Sequence, residues 1–154
     1  METQIKLITS LRKLYKSETH DKKKCRAYCK ACLNTTLRKI SNDKPVKYVS
    51  KAAKAKAKLL GIDLVTMTWD NQTKKNYDPK RVNFKYEHCI PIKELIERVL
   101  DTDEPIESII EDDFVCWVLV EEDKELRSHG YQSKRPGGWR KCYKECGIVP
   151  ILNK

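Results

Sequence analysis

Apolar residues recur every three or four positions along the first part of the chain. Short alternating or continuous apolar runs take over only beyond residue 80. Ile5, Ile8, Leu11 and Tyr15 fall on one side of a helix over residues 3–17. From about Thr19 to Ile40 a second helix is expected, with Asp21 near its start. It carries Cys25, Cys29, Cys32, Leu33, Thr36, Leu37 and Ile40 on one face, and the cluster Ser41 to Pro45 ends it. Residues 46–60 read as a third helix, with Val46, Val49, Ala53, Ala57 and Leu60 on one side. Lys47, Lys51, Lys54 and Lys58 form a stripe about a quarter-turn away, and Gly61 closes the helix where left-handed geometry is needed.

The second half changes period. Asp70 to Arg81 is polar and turn-rich, and Val82 to Ile90 then reads as a strand stopped by Pro91. Ile92 to Leu100 predicts a short helix, followed by an acidic stretch from Asp101 to Asp113 that contains Pro105. Phe114 to Val120 is the clearest strand of the chain, and Glu121 to Ser128 is the helix after it, ended by His129-Gly130. A last helix over Trp139 to Gly147 places Trp139, Cys142, Tyr143 and Cys146 on one side. Helices first, strands interleaved with helices later, predict an α+β protein.

A chain of 154 residues suits one core. Its expected parts are a basic helical region, 1–81, and a strand-containing region, 82–154, packed as one unit. The formal net charge of +10 calls for an anionic partner. Four lysines in register repel one another by about 0.2–0.5 kcal/mol per pair unless a polyanion lies alongside. A membrane-surface helix would oppose its lysines with bulky apolar residues. Here they face Val and Ala, and the run Phe114 to Val120 is too short to span a bilayer, so DNA leads as partner and no membrane is expected. A second basic surface is expected in the loop at Lys134, Arg135, Trp139, Arg140 and Lys141, cations and an aromatic able to follow a phosphate backbone. The N-terminus lacks the features of a signal peptide, which predicts a cytoplasmic protein with reduced thiols. Its seven cysteines include a helical stripe (Cys25, Cys29, Cys32) that reads as small core hydrophobes rather than structural zinc ligands.

The chemistry concentrates at Glu87-His88, at the end of a strand, and at the acids that open the helix after the second strand. Phosphodiester hydrolysis needs an activated water and a cation at the phosphate. An imidazole can take the water's proton, and carboxylates can hold Mg²⁺ or Mn²⁺ with the phosphate completing the shell. Neighbouring strand residues face opposite ways, so Glu87 and His88 are expected to take different jobs at the same depth. The second ligand is expected from Glu121, Glu122, Asp123 or Glu125.

The succession Glu87-His88-x-x-Pro91, connecting segment, apolar strand and acid-rich helix resembles the HNH (ββα-metal) endonuclease superfamily. The resemblance spans roughly Phe84 to Gly130 and implies a two-stranded ββα core, on which the helical N-terminal region is expected to pack, with a short C-terminal helix closing the assembly. It further implies metal-dependent hydrolysis of DNA, with His88 as general base, Glu87 as a metal ligand and Asp123 as the helix ligand, Glu122 or Glu125 substituting. Two departures stand out. No Asn occurs between Asn83 and Asn153, and the helix from Glu121 to Ser128 offers neither His nor Asn as a ligand. The competing readings are a non-catalytic basic nucleic-acid-binding protein and an interaction protein for an acidic partner. A homodimer is compatible with cutting both strands.

Overall fold

Asp21 caps the longest helix by accepting the Lys24 N–H at 3.1 Å, and that local signal sets where the second helix starts. A computed structural model describes all 154 residues. It places α1 at Glu2–Ser17 and α2 at Lys22–Asp43. The face of α2 bearing Cys29, Leu33, Leu37 and Ile40 is buried against Ile8 and Leu11 of α1. Two further helices, α4 (Ile92–Asp101) and α5 (Ile106–Glu111), complete this layer through Leu95, Val99 and Ile109. The acidic stretch after α4 therefore folds into α5, with Pro105 at its cap position. There proline supplies an extended backbone and has no N–H to leave unpaired.

The sheet holds four strands in the order β2-β3-β1-β4. They are β1 (Tyr48–Ser50), β2 (Phe84–His88), β3 (Val115–Leu119) and β4 (Pro150–Leu152). β3 pairs antiparallel with β2 and parallel with β1, while β1 pairs antiparallel with β4. One face packs Phe84, Val115 and Trp117 under Ala53 and Ala57 of α3 (Lys51–Leu60) and Met67 of the following segment. The other packs Cys89, Cys116 and Val118 under Leu126 of α6 (Val120–Ser128) and Trp139 and Tyr143 of α7 (Trp139–Glu145).

The class is α+β, with the helical layer formed early in the chain and joined later by α4 and α5. The strand-strand-helix succession β2, β3, α6 is present with two helices inserted between its strands. The two-stranded core is corrected: β3 is interior to a wider sheet because β1 pairs with it from the first half of the chain. Val46 and Lys47 accordingly precede a strand and do not extend α3, which starts only at Lys51. Ser50 ends the extended stretch and caps α3, its Oγ accepting the Ala53 N–H at 2.9 Å. Gly61 closes α3 at φ 66°. No helix is long and apolar enough to cross a membrane.

Candidate functional site

β2 is an edge strand, so the side chains at its end are flanked by sheet on one side only. Its pleat sends Phe84, Tyr86 and His88 to one face and Lys85 and Glu87 to the other. His88 therefore joins the α3 side and Glu87 the α6 side. The two residues expected to serve one site line two different clefts.

The His88 ring is half-buried, and its Nδ1 lies 3.5 Å from Oδ1 of the fully buried Asp113. Asp113 is fixed in turn by the Ser41 hydroxyl, which donates to Oδ2 at 2.6 Å. Ser41 also accepts, through its carbonyl, the Tyr86 hydroxyl at 2.7 Å. Nδ1 is sequestered with Asp113, which leaves Nε2 as the nitrogen toward a small cleft walled by Arg38, Asn42, Trp69 and Tyr86. Nδ1 and Oδ1 make no hydrogen bond at this separation, so the carboxylate is a close neighbour of the ring. An imidazole beside a buried carboxylate, with its other nitrogen toward solvent, is placed to act as a general base.

The Trp69 wall is built by the polar segment before β2. Asp78 is fully buried and accepts the backbone N–H groups of Val82 (3.1 Å) and Phe84 (2.9 Å), which turns the chain into the strand. The Arg81 guanidinium lies 3.6 Å from the Trp69 ring centroid, and Trp69 sits 5.8 Å from Tyr86. This stretch, polar and turn-rich in sequence, is held by a buried carboxylate.

On the other face, Glu87 pairs with Arg135, whose side chain is 1% exposed. Burial pushes the Glu87 carboxyl up to about 7; Arg135 opposes the shift and Asp123 adds to it. Asp123 is itself paired with Arg127 at 2.7 Å. These two acids line a cleft of about 570 Å³ between α2, the start of α4 and α6. Two neighbouring carboxylates could begin a divalent-ion site. Here each already faces a guanidinium, His88 is on the far side of the strand, and nowhere do three His, Cys, Asp or Glu groups converge. The residues as arranged do not fit a metal shell. Glu122 is taken up structurally: its carboxylate accepts the Leu119 N–H (2.8 Å) and the Ser50 hydroxyl (2.6 Å), tying the start of α6 to the start of α3.

The basic residues divide as well. Lys51, Lys54 and Lys58 share one face of α3 and border a shallow cleft with Lys154. Lys47 lies outside that helix, its ammonium 4.0 Å from the Phe114 ring centroid. In the C-terminal loop Lys134, Arg140 and Lys141 are exposed, whereas Arg135 and Trp139 are buried. Arg135 is consumed by Glu87. Trp139 packs on Tyr48 and Tyr143, at ring separations of 5.3 and 5.2 Å, and only Arg140 covers its outer side.

Sequence reasoning passed over the polar face of α2. Lys30, Asn34, Arg38 and Asn42 recur every four residues, a spacing that puts them in one row. Arg38 donates to the Asn34 amide oxygen at 3.1 Å and lines both clefts. The row was legible as an i, i+4 series, but the apolar stripe of the same helix drew the assignment. Asp113 and Ser41 carried no signal, since one closes an acidic stretch and the other opens a turn cluster. Compared with known proteins, the chain matches no family model, no curated protein and no solved structure.

Proposed function

We propose that this protein hydrolyses phosphodiester bonds in nucleic acid, DNA being the expected substrate, at the cleft where β2 ends. The observation that carries the reading is the succession Ser41–Asp113–His88, which sets an imidazole 3.5 Å from a buried carboxylate at a cleft sharing Arg38 with the polar row of α2. In this reading Nε2 of His88 takes the proton of the attacking water as its oxygen bonds to phosphorus, the ester P–O bond breaks, and the departing alkoxide takes a proton from solvent. Asp113, beside the ring, stabilises the imidazolium that forms. Arg38 pairs with the non-bridging oxygens of the phosphate, and its planar fork suits that geometry. Lys30, Asn34 and Asn42 keep the backbone along α2, while the lysines of α3 add attraction that does not depend on sequence.

This assignment keeps His88 as the base expected from the HNH resemblance and routes no step through a metal. The second reading, a binding protein without catalysis, is favoured by one observation: Glu87 and Asp123, two of the acids expected to hold the ion, are each matched by an arginine. Cleavage of plasmid and linear DNA, with Mg²⁺, Mn²⁺ or EDTA, separates the two. The hydrolase reading expects product from the native protein and about 10²–10⁴-fold slower cleavage by His88→Ala, with DNA binding retained by both. Equal cleavage by the variant sinks it, and binding without cleavage in every metal condition leaves the binding protein.

A further inference from the structure

The cleft on the Glu87 face shares Arg38 and the α2 row with the hydrolysis proposed above but holds no part of its base, and six charged side chains line it. Three of its cations, Lys30, Arg38 and Lys93, form no ion pair, and only the Asn34 amide contacts Arg38. The two acids on its wall are already matched, Asp123 by Arg127 and Glu87 by Arg135. Arg135, behind Glu87, is buried and does not line the cleft, so the preference for an anion rests on the three free cations at the cleft itself.

We infer that this cleft binds a phosphate monoester, the terminal phosphate of a nucleotide or of a nucleic-acid strand. Three uncompensated cations exceed what one diester phosphate, with a single negative charge, can neutralise. A monoester carries about −1.5 to −2 near pH 7 and offers three acceptor oxygens. The volume, about 570 Å³, admits a phosphate together with its sugar and base. Ile92, Ile96 and Leu126 supply apolar surface at the floor, while Gln132 and Ser133 offer uncharged hydrogen-bonding groups at the rim. Lys30 and Lys93 reach the cleft from two different helices, α2 and α4, so two elements contribute charge to one anion. The inference takes from the nucleic-acid reading only the nucleotide as carrier of the phosphate. It does not need His88.

Calorimetric titration of the whole protein with 5′-dAMP, 3′-dAMP, deoxyadenosine and MnCl₂ tests it. Both monophosphates are expected to bind, with deoxyadenosine at least tenfold weaker. The double variant Lys30→Ala/Lys93→Ala is expected to lose about tenfold in monophosphate affinity, while Lys74→Ala/Lys75→Ala, exposed and outside the cleft, loses less than twofold. The inference is overturned if the nucleoside binds as well as the nucleotides, if the two double variants weaken binding equally, or if Glu87→Gln removes a Mn²⁺ site while phosphate binding is undetectable. A second arm compares one oligonucleotide with and without a 5′-phosphate. Equal binding of the two, abolished by neither double variant alone, overturns the end-phosphate site and leaves the nucleic-acid reading standing. Binding of dAMP without binding of either oligonucleotide supports the site and removes the nucleic-acid reading.

Discussion

The two faces at the end of β2 are a matched pair with opposite electrostatics. On one, an imidazole rests on a buried carboxylate that a serine hydroxyl holds in place. On the other, a carboxylate rests on a buried guanidinium that has donors to spare. One residue of separation along the strand decides which environment a side chain enters, because the pleat alternates. Adjacency in sequence, which first suggested a shared site for Glu87 and His88, is what keeps them apart in a sheet covered on both faces. Arg38, on a helix that runs past the strand edge, is the element common to both.

The sharpest way to break the Glu87 face is to remove its counter-charge. Arg135→Ala leaves a buried carboxylate without a partner and is expected to cost about 3–5 kcal/mol, read by urea denaturation near pH 7.5. Arg135→Met/Glu87→Gln should recover most of it, and a double variant no better than the single one would show that the pair is not what holds this face. Breaking the His88 face should act on chemistry instead. His88→Ala is expected to lower the cleavage rate by about 10²–10⁴-fold. Asp113→Asn should lower it as well, with a binding constant for DNA that stays within about threefold. A rate that survives Asp113→Asn would detach the carboxylate from the proposed base.

A third test uses proton linkage. The Glu87 carboxyl titrates near 7 in the fold and near 4.5 when exposed, so the folded state holds its proton more tightly. Stability from this group is present below pH 4.5 and is lost as pH rises through 7, by up to about 3 kcal/mol for a shift of that size. Glu87→Gln should flatten the slope of unfolding free energy between pH 5 and 8, and an unchanged slope would contradict the burial argument. The smallest effect belongs to the residue the faces share. Arg38→Ala is expected to weaken DNA binding about three- to tenfold and to reduce the salt dependence by roughly one phosphate contact. Its stability should move by less than about 0.5 kcal/mol, as for an exposed site.

Much of the helical layer was legible because its signals are local. The run Cys29, Leu33, Leu37, Ile40 fixes which side of α2 is buried, and Asp21 and Gly61 mark helix ends through their own side chain or backbone. The sheet was half legible. β3 is a continuous apolar run, whereas β1 and β4 are three residues each and exist by pairing with partners distant in sequence. Val46 and Val49 fit a helical period as well as a strand, and only the tertiary partner decides between them. In the site, Glu87 and His88 could be found by type, but their partners could not. Asp113 and Arg135 reach them across folded distance, and nothing local to either residue announces a pairing.

The place of β1 in the sheet has a consequence for how the chain is made. Tyr48 leaves the ribosome early and waits for Cys116 on one side and Leu152 on the other before its backbone groups are matched. The helices α1 and α2 can dock on each other at once, but the sheet cannot close until β3 and β4 have both been made. Until then the nascent chain carries an unpaired strand beside a lysine-rich helix, and charges of that kind disfavour edge-to-edge association.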